Sequence, residues 1–77
     1  MIVKPLSELK QGEKGKIVKI GGQRRFRRLL LDMGLVSGSD IEMERLAPLG
    51  DPIEFKIKGY NLSLRREEAA CIKVEVS

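Results

Sequence analysis

Ala47–Ala69, APLGDPIEFKIKGYNLSLRREEA, contains two strands and the turn between them. Ile53, Phe55 and Ile57 alternate with Glu54, Lys56 and Lys58, and Leu62 and Leu64 alternate with Asn61, Ser63 and Arg65. Successive strand side chains point to opposite faces, so each run has one apolar and one polar face. Gly59-Tyr60 sits between the runs. A glycine at the first central position suits a two-residue type II′ hairpin, which needs φ > 0 there. That frame pairs Lys58 with Asn61, Ile57 with Leu62 and Phe55 with Leu64. A one-residue slip would set apolar residues against polar ones.

Outward from the hairpin, the chain reads as short elements. Leu6 and Leu9, with Pro5 ahead, predict a single helical or 3₁₀ turn lidding a core. Gly12 and Gly15 mark a loop, Lys16–Ile20 a strand, and Gly21-Gly22 its end. Gln23–Met33 is the one good helix, and Gly34 stands where a left-handed C-terminal cap is expected. Asp40–Leu46 is a strand with Ile41 and Met43 inward. Pro48–Pro52 is a loop, and Arg65–Ala70 a tight polar connection with one 3₁₀ turn. Ile72, Val74 and Val76 form a final strand. Short strands need closure to shield their edges. The expectation is a mainly β fold: a small, partly open five-stranded SH3-like barrel with one short α-helix. An OB-type barrel is the alternative.

Seventy-seven residues predict a single domain spanning 1–77. A chain this short buries only about 60% of its unfolded surface, which leaves no room for a deep catalytic cleft beside a core. With two Phe, one Tyr and no Trp, that core must be mostly aliphatic. A single cysteine, Cys71, excludes an internal disulfide framework. No run approaches the ~18 apolar residues of a membrane helix. MIVKPLSELK lacks the apolar core and cleavage site of a signal peptide. The expected location is cytoplasmic, and the chain is not expected to be membrane-embedded.

The helix carries the strongest surface signal. Phe26, Leu29, Leu30 and Met33 form an apolar stripe at helical spacing and are expected to pack on the barrel. Arg24, Arg27, Arg28 and Leu31 fall on the opposite side, with Arg25 nearer the edge. An Arg28–Asp32 pair would contribute only about 0.2–0.5 kcal/mol. Arg24 and Arg25 sit in the first turn, where the helix dipole favours negative charge. Local stability does not select this layout. One explanation is a solvated face with a stray exposed leucine, which is common. The other is a docking patch, because arginine and apolar anchors are enriched at interface centres. Leu49, on the proline-stiffened loop, is the second candidate contact; it either projects toward a partner or folds back on the barrel.

Catalytic and metal chemistry is sparse. The chain has no His, no CxxC and no HExxH. Transition-metal sites generally use imidazole or thiolate, and Asp51, Glu54, Glu67 and Glu68 would hold a metal only loosely. Cys71 reads as a half-buried filler, and no serine has a histidine to activate it. Gly21-Gly22 before a helix offers a weak anion signal without a nucleotide-binding loop pattern. The expectation is no enzyme, no metal site and no cofactor.

The chain resembles the FeoA family, small cytoplasmic proteins of bacterial ferrous iron uptake. The resemblance rests on Leu6-Ser7-Glu8-Leu9 with Gly12, and on Arg28-Leu29-Leu30 with Asp32-Met33-Gly34-Leu35 and Gly38. It continues through Ala47–Pro52, then Gly59-Tyr60 to Arg65, with Glu67-Glu68-Ala69. It implies an SH3-like barrel and an accessory role beside a membrane iron transporter that carries a cytosolic G-protein domain. Docking there would support or regulate transport, and iron carriage is not implied. A GTPase-activating role would need an arginine able to reach a phosphate, for which Arg24–Arg28 are candidates. The same kind of barrel resembles the C-terminal domain of iron-dependent repressors, but no helix-turn-helix is present here. The alternative function is a small basic barrel binding nucleic acid. The net charge of +4 permits this, but the near absence of stacking aromatics argues against it. Self-association is a third reading.

Overall fold

The computed structural model describes residues 2–76. Its strands are β1 (Ile2–Pro5), β2 (Lys14–Ile20), β3 (Asp40–Leu46), β4 (Ile53–Ile57), β5 (Tyr60–Leu64) and β6 (Ile72–Val76). Helix α1 (Arg24–Asp32) links β2 to β3, and the short α2 (Arg66–Ala69) links β5 to β6. Leu6–Glu8 is a 3₁₀ turn whose Leu6 is fully buried. All pairings are antiparallel, in the order β1-β6-β2-β3-β4-β5. The sheet is the partly open SH3-like barrel expected from the sequence. It has a sixth strand, because β1 pairs with β6 through Ile2–Val76 and Pro5–Lys73. The Arg65–Ala70 connection contains α-helix rather than a 3₁₀ turn. Glu68 accepts the Arg65 N–H at 2.8 Å, as in a capping box.

The hairpin keeps its faces but not the expected register. Ile57 pairs with Tyr60, Phe55 with Leu62 and Ile53 with Leu64. The turn residues are therefore Lys58 and Gly59, at φ 33° and 87°. Positive φ at both central positions is the type I′ pattern, whose twist matches the flanking strands. The expected Phe55–Leu64 and Ile57–Leu62 pairs are replaced. Moving the turn by one residue preserves the side-chain parity, so Phe55, Ile57, Leu62 and Leu64 still face the core.

Two bulges keep cations out of that core. Between Ile17 and Lys19 the β2–β6 register shifts, so Ile17 opposes Val74 and Ile20 opposes Ile72, while Lys19 stays outside. Between Met43 and Arg45 the β3–β4 register shifts in the same way, leaving Arg45 opposite Glu54 and Leu46 opposite Ile53. Without the extra residue, simple alternation would drive Lys19 and Arg45 inward. The core these strands enclose is aliphatic around Phe55, with Ile17, Ile41, Ile53, Ile72 and Val74 almost wholly buried.

Helix α1 is anchored mainly at its C-terminal end. Leu35 N–H donates to Leu30 O and Gly34 N–H to Leu31 O, both at 2.9 Å, with Gly34 at φ +88°. This is a Schellman closure, and its two apolar partners, Leu30 and Leu35, are both fully buried. The Tyr60 hydroxyl donates to the Met33 carbonyl, tying the same end to the hairpin turn. Leu29 departs from the expected stripe. It is 54% exposed, because a nine-residue helix lying across a barrel edge buries only Leu30 fully, with Phe26 and Met33 half-buried.

Candidate functional site

The outer face of α1 gathers the arginines. Arg24, Arg27, Arg28, Leu31 and Asp32 line one shallow open groove, with Leu31 59% exposed. The sequence separates these residues by three or four positions, which α-helical geometry converts into neighbours. Among the described residues no carboxylate pairs with them, Asp32 included. The helix has no acidic residue in its first turn and no side-chain cap at Gln23. The arginines therefore add to the positive end of the helix dipole instead of offsetting it. An electropositive groove with an aliphatic centre results.

The Gly21-Gly22 step has a packing explanation. Gly21 N–H is taken by the Cys71 carbonyl at 2.8 Å, so it is not free for an anion. A side chain on Gly21 would meet that same carbonyl at 3.0 Å. The half-buried Cys71 thiol donates to Glu67 O at 3.5 Å.

Leu49 does not join the arginine groove. It sits on the loop entering β4, whereas α1 is tied at Met33 to the turn leaving that strand. At 96% exposure it projects outright and does not fold back. The loop beneath it is braced. Gly50 N–H reaches Ala47 O at 2.8 Å, and Ala47 N–H reaches Pro52 O at 3.1 Å. From α2, Arg66 N–H donates to Asp51 Oδ1 at 2.8 Å and Arg66 Nη2 to Gly50 O at 3.1 Å. Sequence reasoning missed this support. In the sequence Asp51 reads only as a loose metal-ligand candidate, yet its carboxylate accepts the N–H at the start of α2.

Elsewhere, Glu13 accepts the Lys10 N–H at 2.9 Å and Lys4 Nζ at 3.1 Å. The Lys10 hydrogen bond, then the Lys4 ammonium, hold its carboxyl below the usual carboxylate range. Among the described residues, no three His, Cys, Asp or Glu side chains converge as metal ligands. No helix there is long and apolar enough to cross a membrane.

An antiparallel barrel of this order, with a helix between its second and third strands, belongs to the SH3-like class. A FeoA complexed with zinc from Stenotrophomonas maltophilia, described as a prokaryotic SH3 domain protein, has the same fold. It superposes with a TM-score of 0.80 at 23% identity, over 97% of this chain and 91% of that one. The model of the FeoA domain matches residues 4–76. The solution structure of FeoA from Chlorobium tepidum is 43% identical, with a TM-score of 0.89, over 94% of this chain and 69% of that one. A fusion of Fe(2+) transport protein A with the Fe(2+) transporter FeoB, from Porphyromonas gingivalis, is 48% identical over 71 residues. Those residues are 92% of this chain and 8% of the fusion's length. The chain therefore belongs to the FeoA family of ferrous iron transport.

Proposed function

We propose that this chain is a cytoplasmic, non-enzymatic accessory module that docks on the cytosolic, G-protein-bearing part of a membrane ferrous iron transporter and supports or regulates transport. The observation carrying this reading is the Porphyromonas gingivalis fusion, in which a module 48% identical to this chain is joined covalently to a FeoB transporter. Fusion raises the effective concentration of one module at the other, an advantage only where the two meet.

The contact surface is the α1 groove, with Arg24, Arg27 and Arg28 around Leu31, and Leu49 as a separate apolar contact. Arginines without internal partners suit an acidic protein surface, and an exposed leucine among them gives an apolar centre. Nucleic-acid binding is less well supported. Phe55 is buried and Phe26 half-buried, which leaves Tyr60 as the one aromatic ring exposed enough to stack on bases.

The test is a pull-down with the transporter's cytosolic region as bait. The wild-type chain is retained, and the Arg24→Gln/Arg27→Gln/Arg28→Gln variant is lost while its melting temperature is unchanged. Equal retention of a folded triple variant removes the arginine face from the interface. A parallel comparison of GTP hydrolysis by the transporter's G domain, with and without this chain, decides whether docking also touches catalysis.

A further inference from the structure

The open end of the barrel beside the Ala47–Pro52 loop holds a second surface. At the end of β3 the Met43/Arg45 bulge places Leu46 opposite Ile53, on the core side of the sheet. Ile53 is buried, but Leu46 is 47% exposed. It is an inward-facing leucine that the described residues leave about half uncovered. Leu46 and Arg45 line two depressions at once. One runs toward Leu9, Lys10 and Arg66, and the other toward Pro48, Pro52 and Glu54. The two depressions meet the strand end from its two sides, with Leu46 and Arg45 between them.

The charge across the two depressions is uneven. The first depression carries Lys10, Arg45 and Arg66 over an apolar floor of Leu9, Met43 and Leu46, and no carboxylate lines it. Glu54, in the second depression, engages Arg45 Nε at 2.8 Å. Among the described residues, Lys10 and Arg66 form no ion pair. Arg66 spends one guanidinium nitrogen on Gly50 O, which fixes the group at the rim. An aliphatic floor beside Lys10 and Arg66, whose side chains form no ion pair, is complementary to an apolar side chain flanked by carboxylates.

We infer that the first depression docks an acidic polypeptide segment, inserting one leucine-sized side chain over Leu46 while its carboxylates meet Lys10 and Arg66. The surface is distinct from the α1 groove. The inference rests on the docking reading only in taking the occupant to be polypeptide, and it is tested without the transporter.

The probe is a fluorescein-labelled peptide, GEELEELEEG, titrated with the full chain while anisotropy is recorded. Matched peptides carry Lys for Glu or Ser for Leu. The acidic leucine peptide binds, and both substitutions weaken it. Lys10→Glu and Leu46→Ser each weaken it by about tenfold, which corresponds to about 1.4 kcal/mol. Both side chains are exposed enough to change without unfolding the barrel, which a thermal melt confirms. The Arg24→Gln/Arg27→Gln/Arg28→Gln variant binds the peptide as the wild type does. In amide spectra, the shifts on binding centre on residues 9–10, 43–46 and 66. The inference is overturned if the Lys peptide binds equally, if the Ser peptide binds equally, or if no binding appears. It is equally overturned if the shifts and the loss of affinity follow the α1 arginines instead. That last outcome leaves the transporter-docking reading standing, whereas failure of the pull-down leaves the peptide result untouched.

Discussion

Helix α1 and the Ala47–Pro52 loop both present an exposed leucine near arginine, but they hold it differently. Leu31 rides on a helix fixed by Leu30, a Schellman turn and Tyr60, with like charges along its outer face. Leu49 stands on a loop braced by two internal backbone hydrogen bonds and two from Arg66. The first surface is rich in charge and poor in local stabilisation. The second is nearly uncharged at its tip and preorganised. Charge governs encounter and salt dependence, whereas a fixed apolar anchor loses less freedom on binding and governs residence time. On the proposed docking reading, one small barrel would separate these two demands at different ends of β4.

The sharpest way to break the contrast is to remove the helix's single full anchor. Leu30→Ala is expected to cost about 2–5 kcal/mol in denaturant unfolding, the range for a buried leucine truncated to alanine. Leu29→Ala, at an exposed position, is expected to stay within about 0.5 kcal/mol. Similar losses at both positions would mean that α1 packs through its whole stripe. On the loop side, Asp51→Ala removes the acceptor for Arg66 N–H and is expected to cost about 0.5–2 kcal/mol, as other cap deletions do. Hydrogen exchange should then accelerate at Gly50 and Arg66 but not in α1. Tyr60→Phe is expected to cost about 0.5–1.5 kcal/mol. Its exchange signature should fall at the C-terminal end of α1, the converse of Asp51→Ala.

The smallest effect concerns neither surface directly and serves as a control on the rest of the barrel. Glu13 has its folded pKa lowered by Lys10 N–H and Lys4. A lowered carboxyl pKa adds stability above its unfolded value, and that stability is lost as pH falls through the folded value. The wild-type chain should therefore lose stability more steeply on acidification than Glu13→Gln does, with the difference vanishing at the acid end. Parallel curves across the carboxylate range would remove Glu13 from the account. The α1 groove and Leu49 should be indifferent to this change.

What the sequence made legible follows from periodicity. Alternation in 53–64 assigned the core side chains correctly, because parity survives a one-residue shift of the turn. Turn type did not follow, since the pattern gives no sign that Lys58 adopts positive φ. β1 was missed because Ile-Val-Lys-Pro shows no alternation, and its pairing depends on β6, some seventy residues away. The arginine groove was legible from the 100° helical period alone. Leu29 was misplaced because a stripe on a short helix does not tell how much of it the barrel reaches. The Lys10–Leu46–Arg66 depression was invisible, because a bulge resets the in-out phase between Met43 and Arg45 and no local pattern announces it.

The central claim is that the arginine face of α1 meets the transporter. Surface plasmon resonance with the immobilised cytosolic region tests it most directly, comparing the wild-type chain with Arg24→Gln/Arg27→Gln/Arg28→Gln at low and moderate salt. The wild-type chain is expected to bind with salt-sensitive association, and the folded triple variant to associate at least about tenfold more slowly with little remaining salt dependence. Identical association rates and salt slopes for the two proteins would contradict it.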